Sequence, residues 1–418
     1  MRHARIVWLA LACVWAGSGR LAAQQPALVG STAKTPAVRT ALEAVREREA
    51  EVLADQVRFC EVPAPPFGEG ARAELVRRAF SVLGLRNVRV DGAGNVIADR
   101  PGIAEHPHVV LAAHLDTVFP EGTSVKVTTR GTQLRGPGIA DNCRGLAVLV
   151  GVARRLGAAH VQTHGPITFV ANVGEEGLGD LRGVKALFRD SLKGQIDQFV
   201  AIDNAGLSIA TVGVGSLRYR VTFKGPGGHS YVEFGRPNPA AAVGRAAAKI
   251  EELRVPASPH TTFNVGRIGG GTSVNAIPEE AWLEIDLRST DRAALADLDA
   301  RVRRAVDQAA SEENARWQTR ALSVTVERVG DRPAASTPAD APIVRTAQAA
   351  ARALGFSAGL AEASSDANVP MNLGIPAVAI GGGGQSYGSH TVGEWFESSG
   401  SYLGTQHALL LVVALAQP

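Results

Sequence analysis

Three short apolar runs constrain this chain more than anything else in it. His108–Ala113, Ile167–Val173 and Gln198–Ile202 show no regular polar alternation, so each reads as a strand buried on both faces. The segments Thr40–Val57, Gly70–Leu83 and Gly145–Leu156 are expected as helices. Strands that alternate with helices call for an α/β fold, a mostly parallel sheet flanked by helices, from about Thr35 to Gly213.

The texture then changes. Leu217, Tyr219, Val221 and Phe223 alternate with Arg218, Arg220, Thr222 and Lys224, the pattern of a strand with one wet face. The alternation returns in Ala281–Arg288 and Leu322–Glu327, and Thr262–Ile268 is a further candidate strand. Asn238-Pro239 opens a helix between them, with Asn as cap and Pro at the first helical position. A second helix carries Leu295, Leu298, Val302 and Val306 at helical spacing. Strand-helix-strand-strand-helix-strand is the ferredoxin-like order. After about Asp331 the α/β texture resumes, with helix Ala341–Leu354, strand Ala377–Ile380 and a closing apolar helix. The expected organisation is therefore one domain in two parts, residues 24–214 and 331–418, interrupted by an inserted α+β domain, residues 215–330.

At 418 residues two domains are the default. The chain has 43 Lys and Arg against 40 Asp and Glu. Arg2, Arg5 and Arg20 lie in an acid-free stretch of 23 residues, and the remainder balances at 40 and 40. That balance argues against a nucleic-acid partner. Arg2 and Arg5 precede the apolar run Ile6–Ala16, and Leu21-Ala22-Ala23 offers a small-residue cleavage site. Residues 1–23 are expected to be a signal peptide, with an uncleaved anchor as the alternative. The protein is then exported, periplasmic or secreted, and free of the membrane once the signal is removed. Cys60 and Cys143 remain, too few for a disulfide framework.

Acidic and His residues stand at the ends of the apolar runs: His114 and Asp116, then Asp141, Glu175 and Glu176, Asp203, and finally His390. Ligands collect at the carboxyl ends of strands in open α/β sheets. Two histidines and three carboxylates suffice for two divalent metals, with a Glu left over as a base. Asp141 could also cap the helix that begins near Gly145, a role compatible with binding a metal. Glu175-Glu176 is hard to explain structurally, because adjacent buried carboxylates repel and lose hydration. The run Gly381–Gly384 before His390 suits a close backbone approach.

In this order and spacing the chain resembles the dinuclear zinc metallopeptidases typified by peptidase T, carboxypeptidase G, acetylornithine deacetylase and succinyl-diaminopimelate desuccinylase. The resemblance covers nearly everything after the signal. It implies a zinc-exopeptidase-like fold with an inserted lid or dimerisation domain. It also implies two Zn2+ ions, with cobalt or manganese as other occupants of such sites. His114, Asp141 and Asp203 would bind one metal, and Asp141, Glu176 and His390 the other. Asp116 would orient His114, and Glu175 would be the general base toward a metal-bridging hydroxide. His229, in Gly225-Pro-Gly-Gly-His-Ser230, matches a histidine that supports the oxyanion across a homodimer interface. Asn275 and Arg288 match substrate-positioning residues, and Ser364–Asn368 matches another segment near the substrate. The implied activity is an exopeptidase acting on short peptides, with an N-acyl-amino-acid deacylase as the alternative. A non-catalytic secreted binding protein is the remote reading. Gly174 departs from the family, where many members carry Asp.

Overall fold

The computed structural model describes residues 25–418, and the expected signal segment lies outside them. The chain divides into two compact units. One joins the residues up to Thr211 with Ser336–Pro418, and the other is Val212–Ala335.

The first unit is built on a nine-stranded sheet. Its centre is four parallel strands in the order Ile167–Asn172, Val109–His114, Gln198–Ile202 and Ala377–Ile380. Antiparallel strands flank them, Val96–Arg100 on one side and Ile209–Gly213 on the other. Every residue of Val109–His114 and Ile167–Asn172 is buried, as unbroken apolar runs require of strands covered on both faces. The helices Cys143–Ala158 and Tyr402–Leu415 are buried along nearly their whole length. Each fully buried Leu or Val there contributes about 1.5–3 kcal/mol of transfer free energy.

One expected helix is two. In place of Thr40–Val57, the chain forms Pro36–Glu47 and Glu49–Cys60, separated at Arg48, whose φ of −117° and ψ of 30° leave the helical region. The break lets each piece turn its own stripe inward, Val38, Ala41, Leu42 and Val45 in the first and Val52, Gln56 and Phe59 in the second.

The inserted unit is a four-stranded antiparallel sheet in the order Thr261–Gly270, Glu280–Ser289, Gly215–Lys224, Ser323–Arg332. Helices Pro239–Glu251 and Arg292–Arg316 supply the other layer. Leu217, Tyr219, Val221 and Phe223 pack with Leu295, Leu298, Val302 and Val306 in one core. The Asn238 side chain caps its helix by accepting from Ala240 N at 2.9 Å. No helix among the described residues is long and apolar enough to cross a membrane.

Candidate metal centre

The four parallel strands end at one level, with His114 in register with Asn172 and Ile202 with Ile380. His114 is the last residue of its strand, and Asp203 directly follows Ile202. The Asp203 amide donates to Ile380 O at 3.0 Å, which fixes where its side chain starts. Glu175 and Glu176 lie just past Asn172. The turn after Ala377–Ile380 begins the path to His390 through four glycines. A Cβ on Gly381 would stand 2.4 Å from Gly206 O, and Gly383, at φ 82°, would meet Ser401 O. Only glycine lets this loop thread between two backbones.

Asp141 does not cap the helix. Asn142 takes that role, accepting from Gly145 N at 3.1 Å and donating to Ile202 O at 2.8 Å. A Cβ on Gly145 would collide with the Asn142 amide. The Asp141 carboxylate is thereby left to reach two histidines at once. His114 Nε2 is 3.2 Å from Asp141 Oδ1 and 3.7 Å from Asp203 Oδ1. His390 Nε2 is 3.2 Å from both Asp141 Oδ2 and Glu176 Oε1.

Three ligand sets follow: His114, Asp141 and Asp203; Asp141, Glu176 and His390; and His114, Glu175 and Glu176. Within each set the donor atoms lie within 4.8 Å of one another. Asp141 is common to the first two sets, so the arrangement accommodates two cations with one bridging carboxylate. His114 Nε2 and Asp141 Oδ1 are buried and face each other without hydrogen bonding, and neither has another hydrogen-bond partner among the described residues. Buried polar atoms left this way are costly unless something binds them, and a divalent cation fits an imidazole–carboxylate set.

The electrostatics agree. Burial alone would depress the His114 imidazole, but Asp116, Asp141 and Asp203 push it well up. Hydrogen bonds that its imidazole donates to the Asp141 and Glu176 carboxylates raise His390 to about 10. Burial raises Glu176. Burial also opposes ionisation of Asp141, yet the two histidines hold its carboxyl well below the usual range. Without metal, protons do the work of cations here. His390 also has a left-handed φ of 65°, a costly conformation for a non-glycine residue that tends to occur at functional sites.

Asp116 is completely buried, and its carboxylate accepts from Glu175 N at 2.9 Å and Glu176 N at 2.8 Å. It holds the glutamate pair and also sits against His114, whose Nδ1 is 3.0 Å from the Asp116 backbone oxygen and 3.6 Å from the carboxylate. Gly174 has a physical reason as well. At φ 64° its Cβ would fall on the Arg182 guanidinium. Arg182 is gripped by Glu69 at 2.8 and 2.9 Å, and Glu69 also accepts from Gly174 N.

Glu394, four residues beyond His390, joins the site as well. It is buried and accepts from Gly138 N, Ala140 N and Asp141 N at 3.0, 2.8 and 3.2 Å. Burial pushes its carboxyl up to about 7. Arg72 was missed altogether. It donates to Leu115 O at 2.7 Å and to Val62 O, bracing the chain between His114 and Asp116. Its signal was available, since Arg72, Val76 and Phe80 share one helical face and a charge on an apolar stripe needs partners. Asp366 is buried against Asn172 at 2.8 Å, and burial raises it to about 7. Cys60 and Cys143 are free and buried.

His229, Asn275 and Arg288 all lie in the inserted unit. The short strand Gly228–His229 pairs with Ala276–Ile277, and Ser230 N donates to Asn275 O at 3.0 Å, so His229 and Asn275 are neighbours. The His229 Nδ1 accepts from Tyr231 N at 3.2 Å and Val232 N at 3.4 Å, which in the neutral ring leaves the proton on Nε2. The Arg288 Nε donates to Asp286 at 2.6 Å, which orients its guanidinium.

Fold and site together define a metal-dependent amide hydrolase. The chain belongs to peptidase family M20/M25/M40, whose family model matches residues 110–413. It is similar to YqjE, an uncharacterised protein of Bacillus subtilis, with 27% identity over 350 residues, 79% of this chain and 90% of the relative. It is 30% identical over 224 residues to the succinyl-diaminopimelate desuccinylase of Aromatoleum aromaticum, 49% of this chain and 57% of that protein. Among solved structures, a tripeptidase from Staphylococcus aureus is similar at TM-score 0.72 and 25% identity, covering 88% of this chain and 98% of that one.

Proposed function

We propose that this protein is an exported, zinc-dependent exopeptidase acting on short peptides. The observation that carries this reading is Asp141 shared between two ligand sets, with Glu175 buried beside them. The ligands are His114, Asp141 and Asp203 for one ion and Asp141, Glu176 and His390 for the other. Held by these residues, two divalent ions would supply Lewis acidity toward a carbonyl and toward a water. Glu175 takes the proton from the attacking water and returns it to the leaving amine. Asp116 keeps Glu175 and Glu176 in place through their amides. His229, with its proton on Nε2, donates to the oxyanion from a second copy of the chain, making the working form a homodimer. Arg288 and Asn275 hold the far end of the substrate, Arg288 by gripping a carboxylate.

Hydrolysis of di- and tripeptides, with and without chelator and with zinc restored, tests this. Glu175→Gln is expected to lose roughly 10²–10⁴-fold in kcat while retaining its metals. Full activity in that variant would refute Glu175 as the base. Light scattering that finds a fully active monomer would remove the cross-subunit role of His229. An N-acyl-amino-acid deacylase is the second reading, favoured by similarity to the desuccinylase.

A further inference from the structure

Beside the metal centre the first unit has a cavity of about 380 Å³, with Asp141 and Asp203 in its lining. Much of the remaining wall is small, with Ala205, Ser208, Ala361 and Ala363 among its residues. A space of this size takes one residue or a small acyl group. Among the described residues no Lys, Arg or His lines it, and Glu362 is its one charged residue outside the ligand sets. Glu362 sits in the short strand Leu360–Ala363, which joins the edge of the central sheet beside Ile209–Gly213. Its side chain is exposed and engages no cation among the described residues.

We infer that Glu362 selects substrates that carry a free ammonium group on the part entering this cavity. This rests on reading the adjacent centre as hydrolytic. Once the ligand sets hold divalent ions, the charges of Asp141 and Asp203 are compensated, and the Glu362 carboxylate is the uncompensated charge of the lining. A carboxylate on an otherwise small, neutral wall attracts a cation and disfavours an anionic or acylated group. The ammonium has two chemical sources, a free α-amino terminus or a basic side chain. Succinylated or other acidic N-acyl substrates are poor fits, so the cavity argues for the peptidase branch over the deacylase branch.

The test compares the zinc-loaded parent with Glu362→Gln, Glu362→Ala and Glu362→Asp on matched peptides. One arm pairs Leu-Gly-Gly with its Nα-acetyl form. A second pairs Nα-acetyl-Lys-Gly-Gly with its norleucine counterpart. The parent is expected to favour the ammonium member of at least one pair, and the responding arm identifies the source. In Glu362→Gln and Glu362→Ala that preference is expected to fall about five- to tenfold, carried by KM, as loss of one partly screened ion pair implies. Glu362→Asp is expected to restore part of it, which a purely structural role would not do. A parent without preference, or a preference that survives Glu362→Gln, overturns the inference while leaving the hydrolase intact. Absence of chelator-sensitive cleavage on the whole panel would instead sink the underlying reading.

Discussion

The division of labour between Asp141 and Asn142 shows how much rests on single side chains here. Both residue types cap helices well, but Asn142 also holds Ile202 O, and a neutral amide satisfies both without adding charge. Asp141 therefore spends its carboxylate on His114 and His390. Glu394 completes the arrangement. It lies four residues from His390 and grips the amides of the loop that carries Asp141, joining ligand segments from distant parts of the chain. Glu394→Ala is expected to weaken metal binding about 10–100-fold, the scale typical of outer-shell partners. Competition against a chromophoric chelator measures this directly, and an unchanged affinity would show that the loop holds itself. The family resemblance already grouped Asp141 with His114 and His390, but the roles of Asn142 and Glu394 were not legible beforehand, because sequence marks a residue's type and not which amides it faces.

Helices and strands were more legible than the residues between them. Short apolar runs identified all four central strands, Ala377–Ile380 included, and alternation identified the inserted sheet. The broken helix at Arg48 was not visible, since both halves have good helix formers and only packing decides where the axis turns. The closing helix Tyr402–Leu415 carries a further consequence. His407 is completely buried in it, holds Ala347 O at 2.9 Å, and is pushed down to about 4 by burial. Its unfolded value is about 6.5. Between those values the unfolded chain binds a proton that the folded chain refuses. The contribution is therefore complete above pH 6.5 and is lost as pH falls toward 4, by roughly 3 kcal/mol in all. Urea unfolding between pH 7 and 4.5 is expected to show a flatter pH slope for His407→Gln than for the parent. Equal slopes would mean that His407 is not the titrating group.

For the molecule as a whole, the metal centre links folding, metal loading and pH. Holding several carboxylates together without cations is unfavourable, and protons on His114 and His390 offset that in the metal-free protein. A metal must displace those protons. Because His390 is raised to about 10, it is protonated at neutral pH, and the apparent metal affinity is expected to rise as pH increases toward that value. Calorimetry in buffers of different ionisation enthalpy is expected to find at least about one proton released per protein on loading at pH 7. Release of none would contradict the protonated His390. Chelation is likewise expected to lower the melting temperature, since metals bound only by the folded chain stabilise it.

The sequence by itself determined the α/β class, the inserted ferredoxin-like unit and the candidate ligand residue types, because periodicity and chain order are local properties that burial acts on directly. It also carried the family resemblance, through motifs that keep their order along the chain. Tertiary structure alone decided that Asn142 and not Asp141 is the cap, that Asp116 serves the glutamates as well as His114, that Gly174 makes room for Arg182, and that Glu394 and Arg72 brace the ligand loops. Those outcomes depend on approaches of a few ångströms between segments up to about 250 residues apart. Distance of that kind is set by packing, which no local pattern encodes.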